Sequence, residues 1–222
     1  MRSVAAYVGG VADTDAIEER TAVILAGHRG DGGTARRALC SPDPAVRAAA
    51  LSALARIGVL TPGELGAGIG DESRVVAARA ADLSAKEPAS AEIDAALLCL
   101  LDTNDTDLGE VAAWALGERH QQNDEQSPSA SAPSNIVAAL VRTATEHGDA
   151  LVRESAVAAL GCIGDTASLP AILRACDDKA TVRRRAVIAL ASFEGPDVEA
   201  ALERARLDRD WQVRQVAEDL LG

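Results

Sequence analysis

Aromatic side chains are nearly missing from this sequence: one Phe, one Tyr and two Trp make up 2% of its 222 residues, although 48% are hydrophobic. A core of that make-up excludes aromatic stacking and must be assembled from Ala, Leu, Val and Ile, a set that favours helices whose axes approach closely. Basic residues are also short, 22 Lys and Arg against 34 Asp and Glu, and the net charge of −12 repels phosphate backbones and anionic membranes. Neither nucleic acid nor membrane is therefore an expected partner, and the acidity reads as solubility. No run approaches the roughly 18 apolar residues of a membrane-spanning helix. The first 19 residues carry one Arg, a brief apolar stretch and then acids, without the long apolar segment of a secretory signal. The four cysteines, Cys40, Cys99, Cys162 and Cys176, show no CxxC spacing. Read as buried free thiols, they imply a reducing compartment, and the expected location is the cytoplasm.

Chemistry-bearing motifs are equally scarce. His28, His120 and His147 stand apart in the sequence near expected helix ends, where His147 complements a helix dipole. None shows the spacing of a metal site. The segment GELGAGIGD at 63–71 lacks both the preceding strand and the GK[ST] ending of a phosphate-binding loop. It reads instead as a short helix. RGD at 29–31 is a three-residue coincidence. No nucleophile elbow, Cys–His pair or distinctive carboxylate pair stands out. No catalytic residue, metal ligand or cofactor is assigned, and the chain is not expected to be an enzyme.

What the sequence does contain is repetition. DPAVRAAALSALARIG at 43–58 returns as DALVRESAVAALGCIG at 149–164. Anchoring each copy on its first apolar residue gives Ile17, Val46, Val75, Leu108, Val152, Val182 and Val213, separated by 29, 29, 33, 44, 30 and 31 residues. A period near 30 marks stacked supersecondary units. The one long interval contains the polar QQNDEQSPSASAPSN, residues 121–135, read as a flexible inserted loop. Within a unit the pattern V-R-x-x-A-x-x-A-L-x-x-I-G spaces its apolar positions along one face of a helix. Asp43, Asp149 and Asp210, each three residues before an anchor, are positioned to cap that helix. Gly58, Gly117 and Gly164 are expected to close it in left-handed conformation. A shorter helix precedes each one, as at 91–102, 134–147 and 197–208, so every unit is a helical hairpin.

The pattern D-x-x-V-R-x-x-A-x-x-A-L-x-x-I-G resembles HEAT repeats, in particular the short HEAT-like repeats of phycobilisome lyases, from about residue 33 to 222. The resemblance implies an all-α fold, a right-handed α-solenoid of six to seven stacked hairpins in which each buries its neighbour's apolar face. It also implies a ladder between repeats, carried by Asp43 with Arg47, Asp149 with Arg153, and Asp210 with Arg214. Arg183 fits the same role, with Asp178 displaced by one residue. Val76 and Gly109 stand where the arginine should be, so the ladder is expected to break there and leave the middle most compliant. The resulting division is residues 1–32 as an amino-terminal cap or degenerate first repeat, containing Gly27, Gly30 and Gly32. Repeats follow at 33–120, then the loop 121–135, then repeats at 136–222, with Glu218 marking a polar carboxy-terminal cap.

The second helices of a solenoid line a concave surface suited to recognition. Positions two, three and six after each anchor sample it. The amino-terminal copies present mostly Ala there, including Ala77, Ala78 and Ala81, whereas later copies present Glu110 and Trp114, Glu154 and Ser155, then Arg184, Arg185 and Ile188. Trp and Arg dominate interface hot spots. Trp114 reads either as a groove anchor or as a core residue filling space beside small neighbours, and Trp211 as a packing residue of the cap. Within Arg183–Arg185, one arginine belongs to the ladder. The other two pair with Glu154 and nearby acids or receive an acidic peptide or phosphate.

The expected function is a non-catalytic scaffold or adaptor that binds a protein or peptide in the groove, as a monomer, with a dimer as the alternative. A lyase or lyase-accessory protein like the phycobilin attachment subunits is a second reading. A nucleic-acid binder is a third, opposed by the charge.

Overall fold

An aspartate or other short acceptor at the end of a turn, followed by a buried aliphatic residue three positions on, opens most of the long helices. The computed structural model describes residues 5–121 and 132–222, in which thirteen α-helices and three 3-10 turns occur and no strand. Of the expected loop 121–135, residues 122–131 lie outside the described residues. The chain divides into two compact units, Met1–Ser84 and Ala85–Gly222.

The first unit contains α1 (Ala5–Arg29), α2 (Gly32–Arg37), α3 (Pro44–Arg56), α4 (Pro62–Ile69) and α5 (Arg74–Ser84). The second contains α6 (Ala91–Leu101), α7 (Thr106–Arg119), α8 (Ser134–Glu146), α9 (Ala150–Ile163), α10 (Leu169–Ala175), α11 (Ala180–Ala189), α12 (Pro196–Ala205) and α13 (Trp211–Leu221). From α2 onward each even-numbered helix packs on the longer helix that follows it. The longer helices also pack on one another, α1 on α3 and α3 on α5 in the first unit, α7 on α9, α9 on α11 and α11 on α13 in the second. Both units are therefore α-solenoid segments built from hairpins.

Capping chemistry explains the helix starts. The carboxylates of Asp43, Asp105, Asp149 and Asp210 accept hydrogen bonds from amides in the first turns of α3, α7, α9 and α13, satisfying donors the helix itself cannot. The glycine-rich 63–71 segment is α4, begun by a reciprocal capping box between Thr61 and Glu64 with Pro62 at the first position. Gly58 and Gly164 adopt φ of 70° and 65° after α3 and α9, the left-handed geometry expected of them. Gly117 does not: it lies inside α7, where a methyl group added to it would sit 2.8 Å from the Ala159 Cα of α9. Its function is close approach. Gly161 of α9 meets Ala189 of α11 in the same way, at 2.9 Å, and Gly27 of α1 meets Ala53 of α3, also at 2.9 Å from the Cα. A core almost free of aromatics is thus tightened by backbone contact.

Two registers differ from the sequence reading. Val75 is 59% exposed and Val76 is buried, so the anchor of α5 is Val76 and its step from Val46 becomes 30 residues. The solvent-facing positions of α5 consequently shift from Ala77 and Ala81, which are buried, to Arg79 and Asp82, which are half-buried. Ile17 is likewise exposed, while the Gly27–Ala53 contact places α1 beside α3 one residue out of the expected phase. The adjacent valines and the degenerate first copy offered no apolar contrast by which to fix either phase.

The expected burial of cysteines is also corrected. Cys40, Cys99 and Cys162 are exposed and Cys176 is half-buried, all as free thiols. Burial pushes the Cys176 thiol up to about 11.

Candidate interaction surface

Arginine clamps hold the hairpins in register. Arg47 on α3 donates from Nε and Nη2 to both carboxylate oxygens of Asp71, at 2.9 and 2.8 Å. Its Nη1 reaches back to the carbonyls of Ser41 and Pro42. Arg153 repeats the arrangement with Asp178 at 2.7 Å twice and the carbonyls of His147 and Gly148. Arg183 does so with Asp208, at 2.8 and 2.7 Å, and the carbonyl of Asp178. Arg214 clamps the carbonyls of Asp208 and Arg209 at the end of the second unit. Each arginine therefore fixes the turn before its own helix and, where a next hairpin follows, the turn of that hairpin. The hydrogen bonds from these arginines hold Asp71, Asp178 and Asp208 below the ordinary carboxylate range against the opposing effect of burial.

Asp43, Asp149 and Asp210 are placed differently from the ladder role that the resemblance implied: they cap helices, and the acceptors of the clamps lie in the turns just before. Asp71 and Asp208 were missed. The recurring pairs Asp71/Ser73 and Asp208/Asp210 carry the signal, a short acceptor two residues ahead of another. Where Gly109 replaces the arginine, α7 and α9 are not left loose. A methyl on Gly109 would lie 3.1 Å from Val152, Gly117 rests on Ala159, and Thr106 donates to Asp149 at 3.0 Å. Helix contact takes the place of the clamp.

A second cross-link lies at the other end of α7. The Arg119 side chain is fully buried and donates to Asp94 of α6 at 2.9 Å and to the carbonyls of Glu87 and Pro88. His120 meets the other Asp94 oxygen at 3.1 Å. Burial raises Asp94, but the bonds from His120 and Arg119 outweigh it and keep the carboxylate below its ordinary range. His120, isolated in sequence, is part of this cluster.

These supports present the outer faces of the long helices. In the second unit, Trp114 of α7 is 40% exposed and is not a core residue. It lines a hollow of about 320 Å³ with Glu118, Glu154, Ser155, Cys162 and Arg185, over a floor of Ala158 and Gly117. Arg185 pairs with Glu154 at 3.5 Å. A neighbouring hollow of about 430 Å³ includes Ile188, Arg185 and Cys162. The structure thus brings Trp114, Glu154, Ser155 and Arg185 together, with Ile188 adjoining. Arg184 turns instead to Gln212 of α13 at 3.2 Å, and Arg183 is buried in its clamp. Glu110 lines neither hollow. Burial, then Asp107, Asp149 and Glu154, push its carboxyl above the ordinary range. Trp211 is 64% exposed at the start of α13 rather than packed.

The first unit carries a larger groove, about 720 Å³, across α1, α3 and α5. Its floor includes Ala45, Ala48, Ala49 and Ala78. The repeat positions of Ala48, Ala49 and Ala78 place them on the concave surface in the sequence reading, which gives them no binding role, yet it is the shortness of those side chains that opens the depression. Among the described residues, no group of three or more His, Cys, Asp and Glu converges to hold a metal ion, and no helix is long and apolar enough to cross a membrane.

Comparison with known proteins matches this architecture. Residues 135–222 match the family model described as HEAT repeats. No curated protein matches the sequence. Among solved structures, a designed armadillo repeat protein in complex with the peptide (KR)4 is similar with a TM-score of 0.60 at 20% identity, over 83% of this chain and 95% of that one. The complex of CpcE and CpcF of phycocyanin lyase from Nostoc sp. PCC7120 is similar with a TM-score of 0.59 at 21% identity, over 86% of this chain and 76% of that one. At such identities the likeness is one of fold. The chain thus has the α-solenoid fold seen in armadillo and HEAT repeat proteins, and its residues 135–222 match the HEAT-repeat model.

Proposed function

We propose that this protein is a non-catalytic scaffold or adaptor that holds a segment of another protein against the exposed faces of its long helices. The observation that carries the reading is Trp114: one of two tryptophans in the chain, 40% exposed, standing over a preformed hollow on a helix that glycine contacts and the Arg119–Asp94 cross-link fix in place. A rigid aromatic beside a small-residue floor gives a partner side chain a place to bury without reorganising the site. Glu154 and Arg185 border it with charges of both signs, which suits orientation of a polypeptide more than capture of one ion. That a designed armadillo repeat protein of similar fold is solved with a peptide fits this reading. A lyase-type reading is supported only by the likeness of fold to the phycocyanin lyase complex.

Affinity capture with wild type beside Trp114→Ala and Arg185→Glu, followed by titration of the purified captured protein, tests the proposal. Both variants should keep the helical circular-dichroism spectrum and lose at least tenfold in affinity, since truncating an interface anchor costs about 2 kcal/mol or more. A partner bound equally by all three proteins would remove this surface from the function.

A further inference from the structure

The acidity of the chain is not evenly spread. Residues 1–84 carry nine Arg and no Lys against ten Asp and Glu, a net charge of −1, so −11 of the total −12 belongs to residues 85–222. Within the nearly neutral first unit, the groove across α1, α3 and α5 gathers three arginines, Arg20, Arg56 and Arg79, and one acid, Asp82. Arg79 is engaged by Asp82 and by Ser52. Arg20 and Arg56 are exposed and make no hydrogen bond or ion pair among the described residues. Two cations without partners thus face an apolar depression in which Ile24 and Val75 are 44% and 59% exposed. This combination of apolar floor and unpaired positive rim is matched by a ligand of the opposite charge pattern.

The spacing defines that ligand further. Glu19 of α1 bonds to Ser41, just before α3, while Gly27 of α1 lies against Ala53 of α3, so the two helices run parallel. With Gly27 level with Ala53, Arg20 is level with Val46 in the first turn of α3 and Arg56 is the last residue of that helix, which separates them by roughly 15 Å along the helix axes at 1.5 Å per residue. An extended chain covers that distance in about four to five residues, so carboxylates four residues apart lie within reach of both long side chains.

We infer that the α1–α3–α5 groove of the first unit binds an acidic peptide segment in extended conformation, two carboxylates four residues apart reaching Arg20 and Arg56 while apolar side chains between them rest on the alanine floor. The inference takes from the scaffold reading only the class of ligand. It adds a separate site and the chemistry of its occupant.

The test is fluorescence anisotropy of the full chain with the labelled peptide Gly-Glu-Leu-Ala-Leu-Glu-Gly, beside versions carrying Lys or Gln at the two Glu positions. Wild type should bind the Glu peptide saturably, at least tenfold more tightly than the Gln peptide, with the Lys peptide weaker still. Added salt should weaken binding. Arg20→Glu/Arg56→Glu should lose at least tenfold for the Glu peptide and gain for the Lys peptide. Ala48→Phe fills the floor, leaves both arginines, and should lose at least tenfold as well. Absence of saturable binding to the Glu peptide, equal binding of all three peptides, or indifference to the charge reversal overturns the inference. Single-stranded DNA binding at the same arginines in place of the peptide also overturns it. Capture that depends on Trp114 lies in the second unit and is read separately, so failure here leaves the scaffold proposal standing.

Discussion

Removing one clamp gives a direct measure of what holds successive hairpins together. Arg183 is the most informative, because its side chain is 6% exposed and that of its partner Asp208 is 14% exposed. Arg183→Ala deletes two charge-assisted bonds to Asp208 and one to the Asp178 carbonyl. It leaves the Asp208 carboxylate with the amide of Asp210. Stranding one partner of a buried pair costs about 3–5 kcal/mol, and the turn position of Asp208, where water can reach, favours the lower end, about 3 kcal/mol. With a urea m-value of about 2 kcal/mol/M, the unfolding midpoint followed by circular dichroism should fall by about 1.5 M. Arg206→Ala, which breaks an exposed pair with Glu203, is the control and should shift the midpoint hardly at all. The pH dependence has a defined sign. Asp208 is held below its unfolded value chiefly by the hydrogen bond from Arg183, so its contribution is fully present above about pH 4 and is lost as the pH falls through the folded value. The gap between wild type and variant should close over that acidic range. A midpoint for Arg183→Ala equal to that of the Arg206→Ala control at pH 7 refutes the clamp as a source of stability.

Two further outcomes test other parts of the structure. Gly117→Ala drives a methyl into the backbone of Ala159 and should destabilise the second unit by about 1–3 kcal/mol in the same assay, whereas Gly148→Ala, with nothing within 4 Å, should be neutral or slightly stabilising. Glu110→Gln should stabilise the protein at neutral pH, because the raised carboxyl makes its ionised form unfavourable in the folded state; the gain should vanish below about pH 4, where Glu is protonated in both states, and a thermal-denaturation series over pH reads it.

The hairpin architecture was legible because helical periodicity, acidic caps and a period near 30 agree wherever the copies are strong. Legibility failed where two chemically equal residues competed for one role. Val75 and Val76 are indistinguishable until one is buried. Asp208 and Asp210 are both short acceptors in one turn, and only the reach of Arg183 separates the clamp from the cap. Cys99 and Cys162 lie in apolar helices but on their open faces, which a linear reading of hydrophobicity cannot separate from the core. Of the candidate surface, Trp114, Glu154, Ser155 and Arg185 were visible as large or polar residues at repeat-surface positions. The alanines of the first unit were visible at the same positions, but not the depth of the groove they floor, since a concavity is defined by missing atoms.

The distance from a clamp arginine to its acceptor has a bearing on how such a chain grows and shrinks. Arg153 reaches Asp178 and Arg183 reaches Asp208, 25 residues on in each case. Excising the thirty residues from 154 to 183 would therefore leave Arg153 at the same separation from Asp208, with the turn carbonyls it already holds unchanged. A gene encoding this protein can lose or duplicate a module at that seam while the remaining clamp keeps its counterpart. The length of the solenoid is in that sense a heritable variable, adjustable in whole steps that change the faces it displays but not the clamp that joins them.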